Sequence, residues 1–121
     1  MTYDEFNDFC GSLKASSHVI QWGGSDVWKV GGKVFAIGGW GEGNNPAFTF
    51  KTSDNDFLFL SDQENYRPAP YMASRGMKWI QQYHSTSFDD DELKHYLRES
   101  HRIVSLGLTK KIQKELGLNQ I

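Results

Sequence analysis

Two prolines two residues apart, Pro68 and Pro70, stand in the run Tyr66-Arg67-Pro68-Ala69-Pro70-Tyr71-Met72. Each proline fixes its own φ and pushes the residue before it, Arg67 or Ala69, toward extended backbone. The spacing predicts a rigid crossing. A turn follows at Arg75-Gly76, then an apolar strand from Met77 to Tyr83 led by Met77 and Trp79. This crossing divides the chain into a strand-rich half before it and a helical half after it.

Ahead of the crossing, Thr2 and Glu5 form a T-x-x-E capping box at a helix start. Phe6, Phe9, Cys10 and Leu13 follow at i, i+3, i+4, i+7, one apolar stripe, so a helix is expected over 3–14. Cys10 lies on that stripe and reads as a small buried hydrophobe. After a linker at 15–17, strands are expected at 18–22 and 26–30. Gly31-Gly32 can take the positive φ of a tight hairpin, returning through Lys33-Val34-Phe35-Ala36-Ile37. Four Gly and two Asn between positions 38 and 45 surround Trp40 and Glu42. The glycine spacing matches neither a G-x-x-x-x-G-K-[ST] nor a G-x-G-x-x-G phosphate loop, so a long hairpin tip is expected. Trp40 on such a tip either projects as a stacking residue or folds back on its own sheet, and folding back is the expectation. Residues 47–51 read as a strand with Phe48 and Phe50 on one face. Residues 57–60 are ambiguous between strand and helical turn, and 61–66 read as a short helix or loop.

Beyond the crossing, Asp89-Asp90-Asp91-Glu92 suits the positive end of a helix, with Asp89 as its cap. Leu93, Tyr96, Leu97 and Val104 carry the stripe to Gly107. Thr109 caps a last helix over 110–116, leaving Leu118 to Ile121 as a frayed tail. At 121 residues, with 14% aromatics, the chain suits one domain over 1–121 with one core. The expected class is α+β: an N-terminal helix, about five antiparallel strands, and C-terminal helices on one face.

Composition narrows function less. One cysteine excludes an internal disulfide. The acidic N-terminus lacks the layout of a signal peptide, and no apolar run nears the roughly 20 residues of a bilayer span, so a cytoplasmic protein without membrane contact is expected. The net charge of −2 hides an asymmetry. Residues 1–66 hold nine acids and four bases, whereas residues 94–121 hold six bases and two acids. Lys94, Arg98 and Arg102 recur every four residues as one basic helix stripe, and Lys110, Lys111 and Lys114 add a second patch. Arg67, Arg75 and Lys78 join them if the fold brings the central stretch near. Such charges neutralise phosphates.

No hydrolase signature such as G-x-S-x-G occurs, and no catalytic residue is assigned. Glu92-x-x-His95 is a single carboxylate–imidazole turn with no second helix to complete a metal site, so neither metal nor cofactor is expected. A second expectation is a small-molecule or protein-binding pocket formed by Trp40, Tyr66, Arg67 and Tyr71.

Taken in order, Trp22-Gly23, Val27-Trp28-Lys29-Val30, Gly32-Lys33-Val34-Phe35-Ala36, Phe48-Thr49-Phe50-Lys51, Pro70-Tyr71-Met72, Lys78-Trp79-Ile80, Glu92-Leu93 and Leu108-Thr109-Lys110-Lys111 resemble the MmcQ/YjbR family over nearly the whole chain. Thr109 stands where the family pattern has Pro. The resemblance implies an α+β fold of frataxin (CyaY)-like type and a role in binding double-stranded DNA through hairpin "wings". The wings map to Gly31-Gly32, flanked by Lys29 and Lys33, and to the 38–45 loop, whose Glu42 argues against phosphate contact. The frataxin likeness implies iron on an acidic helix face, here Asp4, Glu5 and Asp8, and ranks below the other readings.

Overall fold

In the computed structural model, which describes residues 1–41, 44–84 and 89–121, the capping box forms as its sequence dictates. The Thr2 hydroxyl accepts from the Glu5 amide at 3.1 Å, and the Thr2 amide donates to the Glu5 carboxylate at 3.0 Å. Helix α1 (Tyr3–Ser12) runs from this box and turns Phe6 and Cys10 fully inward. Six strands follow: β1 (Ser16–Gln21), β2 (Ser25–Val30), β3 (Lys33–Gly38), β4 (Phe48–Lys51), β5 (Tyr66–Pro68) and β6 (Trp79–Gln82). Helix α2 (Asp54–Ser61) lies between β4 and β5, while α3 (Asp90–Leu106) and α4 (Lys110–Leu116) close the chain. The strands form one antiparallel sheet in the order β1-β2-β3-β4-β6-β5.

The fold is the expected α+β arrangement with one strand more than about five. The extra strand is β5, the first part of the proline crossing. Pro68 is tolerated because β5 is an edge strand, whose outer side has no ladder to satisfy. Pairing continues past it through the Ala69 amide to the Trp79 carbonyl, 2.9 Å. The ambiguous 57–60 run belongs to α2, capped by the Ser53 hydroxyl, which accepts from the Asp56 amide. Asp89 holds the N-cap position of α3 but makes no side-chain capping bond there. Nor is the C-terminal segment frayed: Leu118 is buried, and the Asn119 side chain donates to Ser105 Oγ at 3.1 Å and to Gln113 Oε1 at 3.0 Å. Glu42 and Phe88 lie outside the described residues.

Strand alternation gives the sheet two different faces. Trp28, Ala36, Phe48, Phe50, Ile80 and Tyr66 point toward α1 and α3, where Phe6, Cys10, Leu93, Leu97 and Val104 meet them. This is the main core. The opposite face carries Val27, Ile37, Thr49 and Gln81 in register across β2, β3, β4 and β6, all fully buried. No helix is needed there, because the loops after β3 and β5 fold back over it. Gln81 Nε2 donates to the Trp40 carbonyl at 3.3 Å, and the Tyr71 ring packs on Trp40.

A bulge in β3 shifts the register between Trp28 and Lys29 and leaves Phe35 as the extra residue. Its freed carbonyl accepts from the Ser100 hydroxyl at 2.6 Å, and Ser100 Oγ in turn accepts from the Lys51 amide at 2.8 Å. Ser100 thus ties α3 to two strands at a fully buried point.

Candidate functional site

The loop-covered face ends in an exposed aromatic cleft. Its volume is ~540 Å³, and its walls are Trp22, Trp40, Tyr71, Met72, Arg75 and Met77. Three separate connections supply these side chains. Trp22 leads the turn between β1 and β2, where its carbonyl accepts from Ser25 Oγ at 3.3 Å. Trp40 follows β3. Gly39, at φ +147°, brings the backbone so close to Ser25 that a Cβ there would lie 2.5 Å from Ser25 Oγ. Only glycine permits this approach, and it sets Trp40 beside Trp22 with ring centroids 5.6 Å apart. Tyr71 comes from the β5–β6 connection, its ring 6.3 Å from Trp40 and nearly perpendicular to it.

All three aromatic residues have left-handed backbone: φ is +51° at Trp22, +64° at Trp40 and +68° at Tyr71. Such geometry costs a non-glycine residue about 1–2 kcal/mol. Two of the rings also stand in water, with Trp22 51% and Tyr71 78% exposed. The chain therefore gives up backbone ease at all three residues and apolar burial at two of them, Trp40 being half-buried. Left-handed φ also occurs outside the cleft, at Ala15, Asn65 and Asn119, so what sets this place apart is the convergence of three such residues, a grouping found at binding sites. The platform beneath Tyr71 is well tied down. The Ala73 amide bonds the Ala69 carbonyl at 3.0 Å, Ser74 Oγ donates to the Tyr71 carbonyl at 2.7 Å, and the Met77 amide reaches the Met72 carbonyl at 3.2 Å.

The expected pocket of Trp40, Tyr66, Arg67 and Tyr71 divides accordingly. Trp40 and Tyr71 line the cleft, but Tyr66 points through the sheet into the helix-side core. There it packs near Phe50 and Tyr96, and burial pushes its hydroxyl pKa up. Arg67 stays on the cleft side of the sheet without lining the cleft. Its Nε donates to Gln81 Oε1 at 2.9 Å, and its guanidinium lies 4.8 Å over the Tyr83 ring. Gln81 thereby links Arg67 to the Trp40 backbone. Sequence reasoning missed Trp22, Met72, Arg75 and Met77 as pocket residues. The signal for Trp22 was its place before Gly23-Gly24, a turn able to project it.

The basic candidates fall into three groups. Lys94 and Arg98 lie over the Phe9 ring at 5.8 and 5.2 Å, against α1. Glu5 and Asp8 line a shallow cleft with that same Lys94. Arg102 makes paired bonds of 2.9 and 3.0 Å to Glu99, whose carboxyl it holds below the usual range. Lys29 and Lys33 flank the Gly31-Gly32 turn, where φ is +58° and +80°. That turn rests on Leu108, which a Cβ at Gly31 would meet at 2.5 Å. Lys110, Lys111 and Lys114 are exposed on α4 nearby in sequence. Arg67 and Arg75 lie across the sheet from α3, and Lys78 sits 4.9 Å over Phe57 of α2. Arg67 and Arg75 are thus on the face of the sheet away from the C-terminal helices.

Glu5 is already occupied by the capping box, and the Thr2 amide and hydroxyl hold its carboxyl below the usual range. Among the described residues, no three His, Cys, Asp or Glu side chains group closely enough to hold a metal ion. Cys10 is buried, which pushes its thiol pKa up and removes it as a nucleophile at neutral pH. No described helix is long and apolar enough to cross a membrane.

Comparison with known proteins places the fold. The crystal structure of the Deinococcus radiodurans protein DR2400, which carries the DUF419 domain, superposes with a TM-score of 0.82 at 22% identity, covering 97% of this chain and 88% of that one. At that identity the likeness concerns the fold alone. No match was found among curated proteins. The YjbR family model matches residues 11–103, from the end of α1 to the last turns of α3, and the chain belongs to the YjbR family.

Proposed function

We propose that this protein is a small-molecule-binding module whose ligand seats in the Trp22–Trp40–Tyr71 cleft. One observation carries the reading: three aromatic residues with left-handed backbone, from three different connections, converge on one open cleft. Its ~540 Å³ lies inside the roughly 300–1,000 Å³ of ordinary ligand sites. The lining has their usual composition, mostly aromatic and thioether with one charged group. Among the described lining residues there is no carboxylate, histidine, serine or cysteine, so the reading is of binding.

A fragment screen followed through the Trp22 and Trp40 indole N–H resonances tests this. Ligands are expected to shift those two signals and not Trp28, whose Nε1 is engaged with Asn7 Oδ1 at 2.8 Å. A screen in which no compound moves Trp22 or Trp40 at millimolar concentration removes the reading.

Duplex DNA is the second reading, favoured by the corner where the Lys33 hairpin rests on Leu108, two residues before Lys110 and Lys111. Binding there should weaken steeply with salt, and exchanging Lys33, Lys110 and Lys111 for Glu should abolish it. Salt-independent binding, or none at low salt with micromolar protein, ends that reading.

A further inference from the structure

The chemical class of the cleft's ligand follows from what is placed among its rings. An aromatic cleft serves two electrostatically opposite purposes. Ring faces attract a cation when no positive side chain competes, as in cages for quaternary ammonium groups. Ring faces also stack on flat π-systems, and a guanidinium at the edge then holds an anionic substituent through paired hydrogen bonds. Arg75 decides between these here.

Arg75 ends the short 3-10 turn Ala73–Arg75 and is exposed at the cleft wall. The next residue, Gly76, takes φ +77° and ends the turn, its amide bonding the Ala73 carbonyl at 3.0 Å. Among the described residues Arg75 has no ion pair, unlike Arg102, which Glu99 neutralises. No described acid lines the cleft. A cation entering would meet a like charge, with no carboxylate among the described lining residues to offset it. An anion entering would find Arg75, the one charged side chain among the described lining residues. The lining around it is sulfur and aromatic carbon from Met72, Met77, Trp22, Trp40 and Tyr71, which suits a flat ring better than a flexible polar chain.

We infer that the cleft binds a planar aromatic anion, a ring bearing a carboxylate or a phosphate, packed among Trp22, Trp40 and Tyr71 with its charge held by Arg75. The inference rests on the small-molecule reading above and adds to it the charge of the ligand and the residue that reads it.

Calorimetric titration with indole, indole-3-carboxylate, phenyl phosphate and cyclohexanecarboxylate separates the parts. Indole-3-carboxylate or phenyl phosphate should bind at least tenfold tighter than indole, and whichever is tighter names the anion. Cyclohexanecarboxylate, with the charge but no flat ring, should bind more weakly than both. Arg75→Gln should erase the advantage of the anions over indole, and Arg75→Lys should restore part of it. Arg75 is exposed and without an ion pair, so these variants should keep the melting temperature of the parent. The inference is overturned if indole matches indole-3-carboxylate, if cyclohexanecarboxylate binds as well as the aromatic anions, or if Arg75→Gln leaves the ratio intact. In those cases indole binding that Trp40→Ala removes still upholds the cleft as a site. If no compound binds and Trp40→Ala changes nothing, the cleft reading falls together with the inference.

Discussion

The two faces of the sheet use aromatic side chains in opposite ways. On the helix side Phe6, Phe35, Phe48 and Phe50 are fully buried, with Phe50 stacked on Tyr96 at 5.8 Å and Phe6 against Phe48 at 4.9 Å. On the loop side a half-buried Trp40 packs against Trp22 and Tyr71, which remain open to water, and all three sit on backbone that costs energy to hold. Burying a phenylalanine contributes about 1.5–3 kcal/mol. A half-exposed tryptophan on left-handed backbone returns much of that gain. The helix face accounts for stability, and the loop face spends some of it on a surface that is available to bind.

That contrast breaks or sharpens under measurement. Cys10, deep on the helix side, should react with a thiol reagent roughly a thousandfold more slowly in the native protein than in denaturant, because reaction requires global opening. Labelling of the native protein at rates near those of the unfolded chain would show that the helix face opens locally. The raised thiol of Cys10 and the raised phenol of Tyr66 also give a sign for pH. Both are neutral when buried and ionise more readily when unfolded, so stability is intact below the ordinary thiol range and falls as pH climbs above about 9.

Phe48→Ala should cost about 3–5 kcal/mol in chemical denaturation, through the cavity it leaves. Trp22→Ala on the other face should stay within about 1 kcal/mol, as exposed positions do. Equal losses would mean that the two faces contribute alike. Ser100→Ala should cost about 1–3 kcal/mol, since it leaves the Phe35 carbonyl and the Lys51 amide without their partner. A loss below about 0.5 kcal/mol would mean that water replaces the hydroxyl in the bulge.

Tyr71→Gly is the most discriminating change, although its stability effect is the smallest. Glycine accepts φ +68° freely, so the protein should be level or up to about 1 kcal/mol more stable, while binding in the cleft weakens. If the variant is instead destabilised by more than about 1 kcal/mol, Tyr71 is a packing residue, and the strain at the cleft has a structural explanation.

Much of the architecture was legible in local pattern. Thr2 with Glu5, Gly31 with Gly32, and Thr109 ahead of α4 are short-range signals, and each forms the element it implies. Residues 57–60 were ambiguous because a four-residue apolar run has no period of its own. The Ser53 cap, an independent signal, decides it. The proline crossing read as a connector because proline weakens pairing, and only the edge position of β5 reconciles the two. The tail read as frayed because nothing local shows that Asn119 reaches Ser105, fourteen residues earlier.

The candidate site was legible in part for the same reason. Trp40 and Tyr71 were recognisable as aromatic residues in loops, but proximity in sequence put Tyr66 and Arg67 with them. Strand alternation sends Tyr66 to the far side of the sheet and engages Arg67 with Gln81. What the sequence by itself determined was therefore the set of elements, because caps, tight turns and apolar stripes act within one or two turns of chain. What only the tertiary structure decided was which turns meet. Trp22, Trp40 and Arg75 are brought together by the folding back of two loops and by the close approach of Gly39 to Ser25, contacts between segments that no local propensity specifies.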